Sequence, residues 1–453
     1  MTLPVLFSCT GRASIFNTPV PEPEPLSGEV LVLLEEGASL PQSVKAERLF
    51  GSHPGKEAIE KKYGLDRWYL VTLEEGQDEA VLENALCVER KVRFDKPFVS
   101  DSGFQVVEAP STKVEPVVMN DPLFKNQWFL FNNGDKNTFG PTTVAGEDVD
   151  IRDAWALCAG DPSIVVAVVD EGVRYDHPDL AANMWVNKGE IPDNGIDDDG
   201  NGFVDDVHGY NFAANGAISW NQGGDEGHGT HVAGLVAAVN NNGIGISSVA
   251  GGSGNGDGVR LMSCQIFSGS IRDNNAACAR AIKYAADNGA SVLQCSFGLG
   301  SYYSDKAFSE SLSAVKAAFD YFRDPANANN DAVEGNIVVI SAGNSHNSKA
   351  EYPGAYRDFI CVSATSQDGL PAWYTNYGTG VNIASPGGDN TLGLTMLSTL
   401  PGSNEYGYMH GTSMATPVMS GITALGISYA KGTPSTFIRT FHASMIPVPI
   451  LPP

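Results

Sequence analysis

The chain has 453 residues, of which 42% are hydrophobic, and its 53 acidic residues against 28 basic ones give a formal net charge of −25. Such a length and composition are ordinary for a globular protein with one large core and a smaller second domain. The acidic balance disfavours nucleic acid as a partner, because phosphate contacts need clustered Lys and Arg. No apolar run in the sequence is long enough to span a bilayer, and the seven cysteines are dispersed without metal-ligand spacing.

Residues 1–27 begin with a short apolar stretch that ends at Cys9, and a proline-rich segment follows it. The stretch is similar to the end of a bacterial lipoprotein signal, although it lacks the basic region of a complete signal peptide. We therefore interpret residues 1–27 as a signal remnant and a disordered, stiff tether. The hypothesis is an extracellular or cell-envelope protein whose only contact with a membrane is a lipid anchor at Cys9. The alternative is an ordinary disordered N-terminus.

Residues 28–107 are predicted to form a small α+β domain of their own. Apolar alternation and helical periodicity predict three strands and one helix there, namely strands at 28–34, 67–73 and 88–94 and a helix at 78–86. Residues 108–119 are polar and contain Pro110 and Pro116. That composition is typical of a linker.

Residues 120–430 alternate between buried-strand and helical patterns, which predicts a mostly parallel central sheet with right-handed crossovers in a three-layer α/β fold. The strands are expected at 164–169, 259–266, 291–297, 336–341, 359–364 and 381–385, and two of the helices at 274–287 and 305–322. Residues 431–453 contain five prolines and no Asp or Glu. We expect an irregular C-terminal tail there, of divergent, truncated or frame-shifted origin.

Three polar residues stand at the ends of these apolar elements, in the order acid, imidazole, hydroxyl. Asp170 follows the apolar run of 164–169, and His228 enters a helix of small residues within Gly-His-Gly-Thr-His. Ser413 lies in Gly-Thr-Ser-Met-Ala-Thr-Pro, at the start of a further apolar helix. An acid, a histidine and a serine are the groups of a nucleophilic triad, and a helix N-terminus favours a developing oxyanion.

These three motifs, in this order, resemble those of the subtilisin-like serine peptidases. The match covers roughly residues 120–430, with one departure: Glu171 stands where the family usually has a small Ser or Thr. The resemblance implies that Ser413 attacks the substrate carbonyl, that His228 is general base and acid, and that Asp170 orients His228. A second carboxylate beside Asp170 is expected to shift the pH optimum and to remove no catalytic group.

The resemblance also assigns residues that contact the substrate. Asn344, which ends the run Ser-Ala-Gly-Asn, is implied as an oxyanion-hole donor together with the Ser413 backbone N–H. The segment 292–298 is similar to the family's substrate-pairing strand, where an extended peptide adds by backbone hydrogen bonds. The implied pocket residues are Ser296, Phe297 and Gly298 on one side and Ser341, Ala342 and Gly343 on the other.

An acidic insertion lies between Asp170 and His228, and it predicts a calcium site. Oxygen-bearing side chains alternate along it and glycines allow tight wrapping, as calcium loops require, and similar loops in the family bind calcium. The expected ligands are Asp197, Asp199, Asn201, the Phe203 carbonyl, Asp205 and Asp206. The alternative is a solvated acidic turn.

The sequence therefore predicts a serine endopeptidase that acts on peptide or protein substrates. A small α+β unit ahead of such a domain resembles the family's inhibitory, folding-assisting propeptide, so residues 28–107 are expected to be a partner of the peptidase domain; for this unit the alternative is an unrelated accessory domain. Two alternatives stay open at this point. One is a catalytically silent, calcium-stabilised peptide-binding module, and the other is a processing or ligating relative that uses the same acyl-enzyme.

Overall fold

The computed structural model describes residues 25–73, 82, 85–92, 119–221, 223, 225–269, 274–298, 304–330, 332–403 and 405–431. The lipoprotein hypothesis at Cys9, residues 108–118 of the linker and the tail beyond residue 431 lie outside these residues. The six cysteines within the described residues form no disulfide with one another. No helix in these residues is both long enough and apolar enough to cross a membrane.

The elements are numbered in chain order. The strands are β1 (Pro25–Leu34), β2 (Lys45–Arg48), β3 (Trp68–Thr72), β4 (Ala85–Val92), β5 (Val165–Glu171), β6 (Gly209–Asn211), β7 (Arg260–Phe267), β8 (Val292–Cys295), β9 (Ile337–Ser341), β10 (Ile360–Thr365), β11 (Ile383–Pro386), β12 (Met396–Thr399) and β13 (Tyr406–Met409). The α-helices are α1 (Glu57–Lys62), α2 (Lys136–Phe139), α3 (Ile151–Trp155), α4 (His228–Ala237), α5 (Asn275–Asp287), α6 (Asp305–Ser311), α7 (Ser313–Arg323) and α8 (Thr412–Lys431).

A seven-stranded sheet forms the centre of the larger domain, in the order β11-β10-β9-β8-β5-β7-β6. All of its pairings are parallel. Strand β5 lies inside the sheet and is buried along its whole length, as its run of β-branched and small apolar residues predicts. The predicted three-layer α/β fold with a mostly parallel central sheet is confirmed.

The two faces of β5 belong to two separate cores. Val166 and Val168 pack in the core that holds α4 and α8. Val165, Ala167 and Val169 face the opposite core, which holds α5 and α7. Because successive side chains of a strand point to opposite faces, this alternation places one helical layer on each side of the sheet, and α4 and α8 share one layer.

Residues 25–92 contain a four-stranded sheet of order β2-β3-β1-β4, with antiparallel pairings. Its residues Leu31, Leu65 and Trp68 join the same core as α5 and α7. The small domain is therefore packed against the helical layer of the large one. Strand β2 and helix α1 are elements that the sequence patterns had not predicted.

Two helix predictions differ from the structure. The helix expected at 78–86 cannot extend to its predicted end, because Ala85 and Leu86 belong to β4; most of the rest of that segment lies outside the described residues. The helix expected at 305–322 is two helices, α6 and α7, separated at Leu312 with φ −127° and ψ 41°. A carboxylate from the small domain takes the N-terminus of the second helix, since Glu89 accepts the backbone N–H of Ala314 at 3.2 Å.

Candidate active site

Asp170 lies near the carboxyl end of β5, where open α/β sheets place their ligands. Only 1% of Asp170 is exposed. Its Oδ1 accepts the backbone N–H of Glu171 at 2.7 Å. The carboxylate is thus held in one orientation and shielded from water.

His228 is the first residue of α4 and contacts Asp170 directly. Its Nδ1 lies 2.7 Å from Oδ1 of Asp170, and the side chain is 2% exposed. The next residue, Gly229, allows this approach, because a methyl group placed there would lie 2.1 Å from the carbonyl oxygen of Glu171. A helix of small residues can therefore pack against the end of β5 and bring the imidazole to the carboxylate.

Glu171 binds the N-terminal end of the same helix. Its carboxylate, on a side chain that is 1% exposed, accepts the backbone N–H of His228 at 2.9 Å and that of Glu226 at 3.2 Å. N–H groups at a helix start have no intrahelical partner, and an acid there also favours the helix dipole. Sequence reasoning treated Glu171 only as a neighbouring charge. The sequence signal for this role was the acid at position 171, where the otherwise matching family motif usually has a small residue.

Ser413 occupies the first turn of α8 and is fully buried. Its Oγ makes no hydrogen bond to any residue of the described chain, so the structure does not join Ser413 and His228 by a hydrogen bond. Such contacts are often long before substrate binds. The backbone carbonyl of Ser413 accepts the hydroxyl of Ser296 at 2.8 Å, which fixes the helix start against the segment after β8.

Asn344 lies beside the helix start and is oriented by it. Its Oδ1 accepts the backbone N–H of Thr412 at 2.9 Å and the Thr412 hydroxyl at 2.8 Å. The amide nitrogen therefore points away from Thr412. An atom built as Cβ on Gly411 would lie 3.5 Å from Nδ2 of Asn344 and 3.6 Å from the backbone nitrogen of Ser413. Both nitrogen atoms thus lie near one point beside Gly411, where glycine places no side chain.

The predicted substrate segments lie on neighbouring strands. Strand β8 is paired on both sides, to β5 and β9, so its backbone has no free edge for a peptide. Of the predicted peptide-pairing segment, residues 296–298, which follow the end of β8, are left to pair with a substrate. Residues 341–343 leave β9 at the same edge of the sheet, and the hydroxyl of Ser341 donates to the Phe297 carbonyl at 3.5 Å. We call residues 296–298 the first wall and residues 341–343 the second wall. The Phe297 side chain is buried in the core of α5 and α7.

The acidic insertion forms a cluster that differs from the predicted ligand set. One carboxylate oxygen each from Glu190, Asp199 and Asp206 lie within 4.8 Å of one another. Asp206 is fully buried and Glu190 is 7% exposed, and burial raises the pKa of Asp206. Within the described residues no Lys or Arg forms an ion pair with any of the three. The cluster is therefore a possible metal-binding group, and the sequence had not included Glu190 in it.

The other expected ligands of the insertion have different roles in the structure. The Asp197 carboxylate accepts the backbone N–H groups of residues 201 and 202 at 3.0 and 2.8 Å. The Asp205 carboxylate accepts those of residues 194 and 195 at 3.0 and 2.9 Å. The amide nitrogen of Asn201 donates to Asp199 and Asp206, so Asn201 does border the cluster. The carboxylates of Asp197 and Asp205 close turns of the loop and are not part of the cluster of three, so their assignment as ligands stays a prediction.

Comparison with known proteins agrees with this geometry. Residues 161–444 match the profile described as the subtilase family. The chain is 29% identical over 427 residues to halolysin of Haloferax mediterranei, covering 94% of this chain and 67% of halolysin. It is 28% identical over 422 residues to the halolysin-like extracellular serine protease Nep of Natrialba magadii, covering 93% of this chain and 64% of Nep.

Among solved structures, fervidolysin from Fervidobacterium pennivorans, described as a keratinolytic enzyme related to subtilisin, aligns with a TM-score of 0.54 at 22% identity. The alignment covers 90% of this chain and 55% of fervidolysin. At this identity the likeness concerns the fold, and it agrees with the three-layer arrangement described above.

Proposed function

The chain belongs to the subtilase family of serine proteases, and on that premise we propose that Ser413, His228 and Asp170 are its catalytic triad. Serine proteases are hydrolases that act on peptide bonds, so the substrates are peptides or proteins. The observation that carries the residue assignment is the buried 2.7 Å contact between Asp170 and Nδ1 of His228. That contact leaves Nε2 as the ring nitrogen that serves the nucleophile.

In the proposed mechanism, Oγ of Ser413 attacks the carbonyl carbon while its proton passes to Nε2 of His228. Asp170 stays ionised, holds the tautomer and stabilises the imidazolium. The imidazolium then protonates the leaving amine and an acyl-enzyme remains on Ser413. Water, deprotonated by His228, attacks the ester, and the carboxylic acid product leaves with the serine proton restored.

The oxyanion of each tetrahedral intermediate would lie in the space beside Gly411. The amide nitrogen of Asn344 and the backbone N–H of Ser413 flank this space. Both donors are held by neighbouring structure, Asn344 by Thr412 and Ser413 by the first turn of α8. Donors fixed in advance stabilise developing charge without reorganisation.

A fluorophosphonate probe tests the assignment. We expect the probe to label the chain once, on the tryptic peptide that contains Ser413. Ser420→Ala is the matched control, because Ser420 is also fully buried on α8 and its loss should leave labelling intact. An unlabelled chain of native fold would refute the triad and favour the peptide-binding alternative.

The second part of the proposal concerns residues 28–107, which we assign as an inhibitory propeptide-like domain. Its described part docks on α5 and α7 through charged as well as apolar contacts. Glu60 and Lys283 form an ion pair at 2.8 Å in which both side chains are at most 5% exposed, and Lys62 pairs with Asp324 at 2.5 Å. An ion pair of this burial is costly to break on one side only, which favours a defined docked position.

Glu89 makes this docking dependent on pH. Its carboxylate caps α7 and also accepts the amide of Asn275, yet burial outweighs these hydrogen bonds and raises the pKa of Glu89 to about 7. The docked state therefore binds a proton that the separated state releases near pH 4.5. Docking is favoured at low pH and is weakened as pH rises through 7.

We expect the domain, once its linker is cut, to bind roughly 10- to 100-fold more tightly at pH 5 than at pH 8. Gel filtration of the cut chain at the two pH values measures this difference. In Glu89→Gln the titrating group is absent, so most of the difference should disappear. If the pH dependence of binding persists in Glu89→Gln, another titrating group causes it.

The third part of the proposal is that the cluster of Glu190, Asp199 and Asp206 binds calcium. Three carboxylates so close, two of them buried, repel one another unless a cation compensates them, and oxygen ligands suit calcium. The amide nitrogen of Asn187 donates to Asp199 and to Asp206 at 2.9 Å each, which holds these two carboxylates beside each other. Calcium bound there would stabilise the loop between Asp170 and His228.

Removal of calcium is expected to lower the melting temperature by about 5 °C or more, as loss of a ligand present at about 100 times its Kd does. The measurement is thermal unfolding with and without chelator, in a Ser413→Ala background to prevent self-digestion. Asp206→Asn should reduce the chelator effect, whereas Asp197→Asn, whose carboxylate lies outside the cluster, should retain it. Equal shifts in both variants would place the calcium elsewhere.

For localisation we propose that the protein is extracellular or in the cell envelope, with a lipid on Cys9. Support comes from the apolar stretch before Cys9 and from the description of Nep as extracellular. Mass spectrometry of protein from its native cells tests the anchor. An unmodified Cys9 would refute the lipid and leave the extracellular assignment to be tested by fractionation.

A further inference from the structure

A carboxylate lies between the two walls of the proposed substrate pocket. Glu351 follows the second wall by eight residues, and its backbone N–H donates to the Ala342 carbonyl at 2.9 Å. The residue is 6% exposed. The walls themselves carry no carboxylate, Lys or Arg, and Glu351 brings a charge to this place.

Glycines on the two walls locate the carboxylate. A methyl group built on Gly298 of the first wall would lie 2.7 Å from Oε2 of Glu351. One built on Gly343 of the second wall would lie 2.6 Å from Oε1. The carboxyl group is therefore in van der Waals reach of both backbones and bridges the gap between them.

Hydrogen bonds orient the group within the gap. Oε1 of Glu351 accepts the Ser345 hydroxyl at 3.0 Å and is 3.4 Å from the amide nitrogen of Asn376. Both of these donors approach the oxygen on the side of the second wall. Oε2 is the oxygen nearest to Gly298 and thus to the segment on which a substrate would pair.

We propose that Glu351 makes this protease selective for Lys or Arg at the residue before the scissile bond. The inference rests on the proposed function, which places that side chain between the first and second walls. A cationic head would meet the Glu351 carboxylate in a site of low exposure, where charge-assisted hydrogen bonds are strongest. The methylene stem would lie along the glycine backbones.

The same geometry disfavours other side chains. An apolar side chain between the walls would gain no charge-assisted hydrogen bond from the carboxylate. An acidic side chain would add repulsion. The net charge of −25 also attracts cationic substrates at long range, but it cannot discriminate among residues of one peptide as a single pocket carboxylate does.

The test compares peptide substrates that differ only at the residue before the scissile bond, namely Lys, Arg, Phe, Leu and Glu, with the self-processed chain as enzyme. We expect kcat/KM for Lys and Arg to exceed that for Phe by at least about 10-fold. In Glu351→Gln, which keeps the shape and removes the charge, the Lys and Arg values should fall by about 100-fold, while the Phe value changes by less than about 3-fold.

Glu334→Gln is the matched control, since Glu334 is exposed and precedes β9 at the opposite end of the sheet; its profile should equal that of the unaltered chain. Fluorophosphonate labelling of each variant separates the two hypotheses. A labelled, unaltered chain that cleaves after Phe as well as after Lys overturns the charge selectivity alone, without need of a variant. An unlabelled, unaltered chain overturns the proposed function and this inference together.

Discussion

Ser413→Ala is expected to abolish peptidase activity, with a loss of about 10⁶-fold in kcat, the loss that removal of the nucleophile causes in subtilisin. The reason is that no acyl-enzyme forms without Oγ, while His228 and Asp170 cannot act without the group they serve. The helix should tolerate alanine, because the Ser413 hydroxyl makes no hydrogen bond in the described structure. Stability should therefore change little.

Intact mass of the unaltered chain beside the variant measures both activity and processing. If the domain at 28–107 is removed by the protein itself, only the unaltered chain should lose roughly its first hundred residues. Ser420→Ala should process like the unaltered chain. Identical cleavage in Ser413→Ala would indicate a separate protease, and full-length protein in every sample would indicate an inactive chain or a zymogen that needs another protease.

Asp170→Asn is expected to lower kcat by about 10⁴-fold at unchanged fold. Asparagine has the same shape but no charge, so the imidazolium that forms on His228 loses its stabilising partner. Its amide can also turn an N–H toward Nδ1, which selects the wrong tautomer of the ring. At 1% exposure no water can substitute for the missing carboxylate.

The measurement is kcat on one peptide substrate, with circular dichroism and fluorophosphonate labelling as checks on the fold and the nucleophile. Asp176→Asn is the control. Asp176 is an exposed acid that follows the same strand, and it forms an ion pair with Arg174. A loss smaller than about 10-fold in Asp170→Asn would mean that the 2.7 Å contact only positions the helix and contributes no charge to the reaction.

Local patterns were sufficient where burial decides the structure. The run of apolar residues at 164–169 predicts a strand that is buried on both faces, and β5 is one. A helix is expected at 274–287, and in the structure Asn274 caps α5 by accepting the N–H of Ala277. The order of Asp170, His228 and Ser413, together with their small flanking residues, indicated the family that the comparison confirms.

Local patterns failed where a distant residue decides the structure. The break between α6 and α7 carries no strong sequence signal, and Glu89, more than two hundred residues earlier in the chain, occupies the start of α7. Glu190 lies outside the Asp-rich run, yet the loop folds back so that its carboxylate accepts the N–H groups of residues 198 and 199. The sequence does not place Glu351 in the pocket, because the residues around it indicate only a turn.

The sequence by itself therefore determined the layers, the parallel sheet and the family, because burial periodicity and residue chemistry are local properties. Tertiary structure alone decided where the buried carboxylates lie: Glu171 at the start of α4, Glu190 beside Asp206, and Glu351 between the two walls. These positions depend on contacts between segments that are distant in the sequence. A carboxylate looks the same in a sequence whether it faces water, a helix start or a substrate.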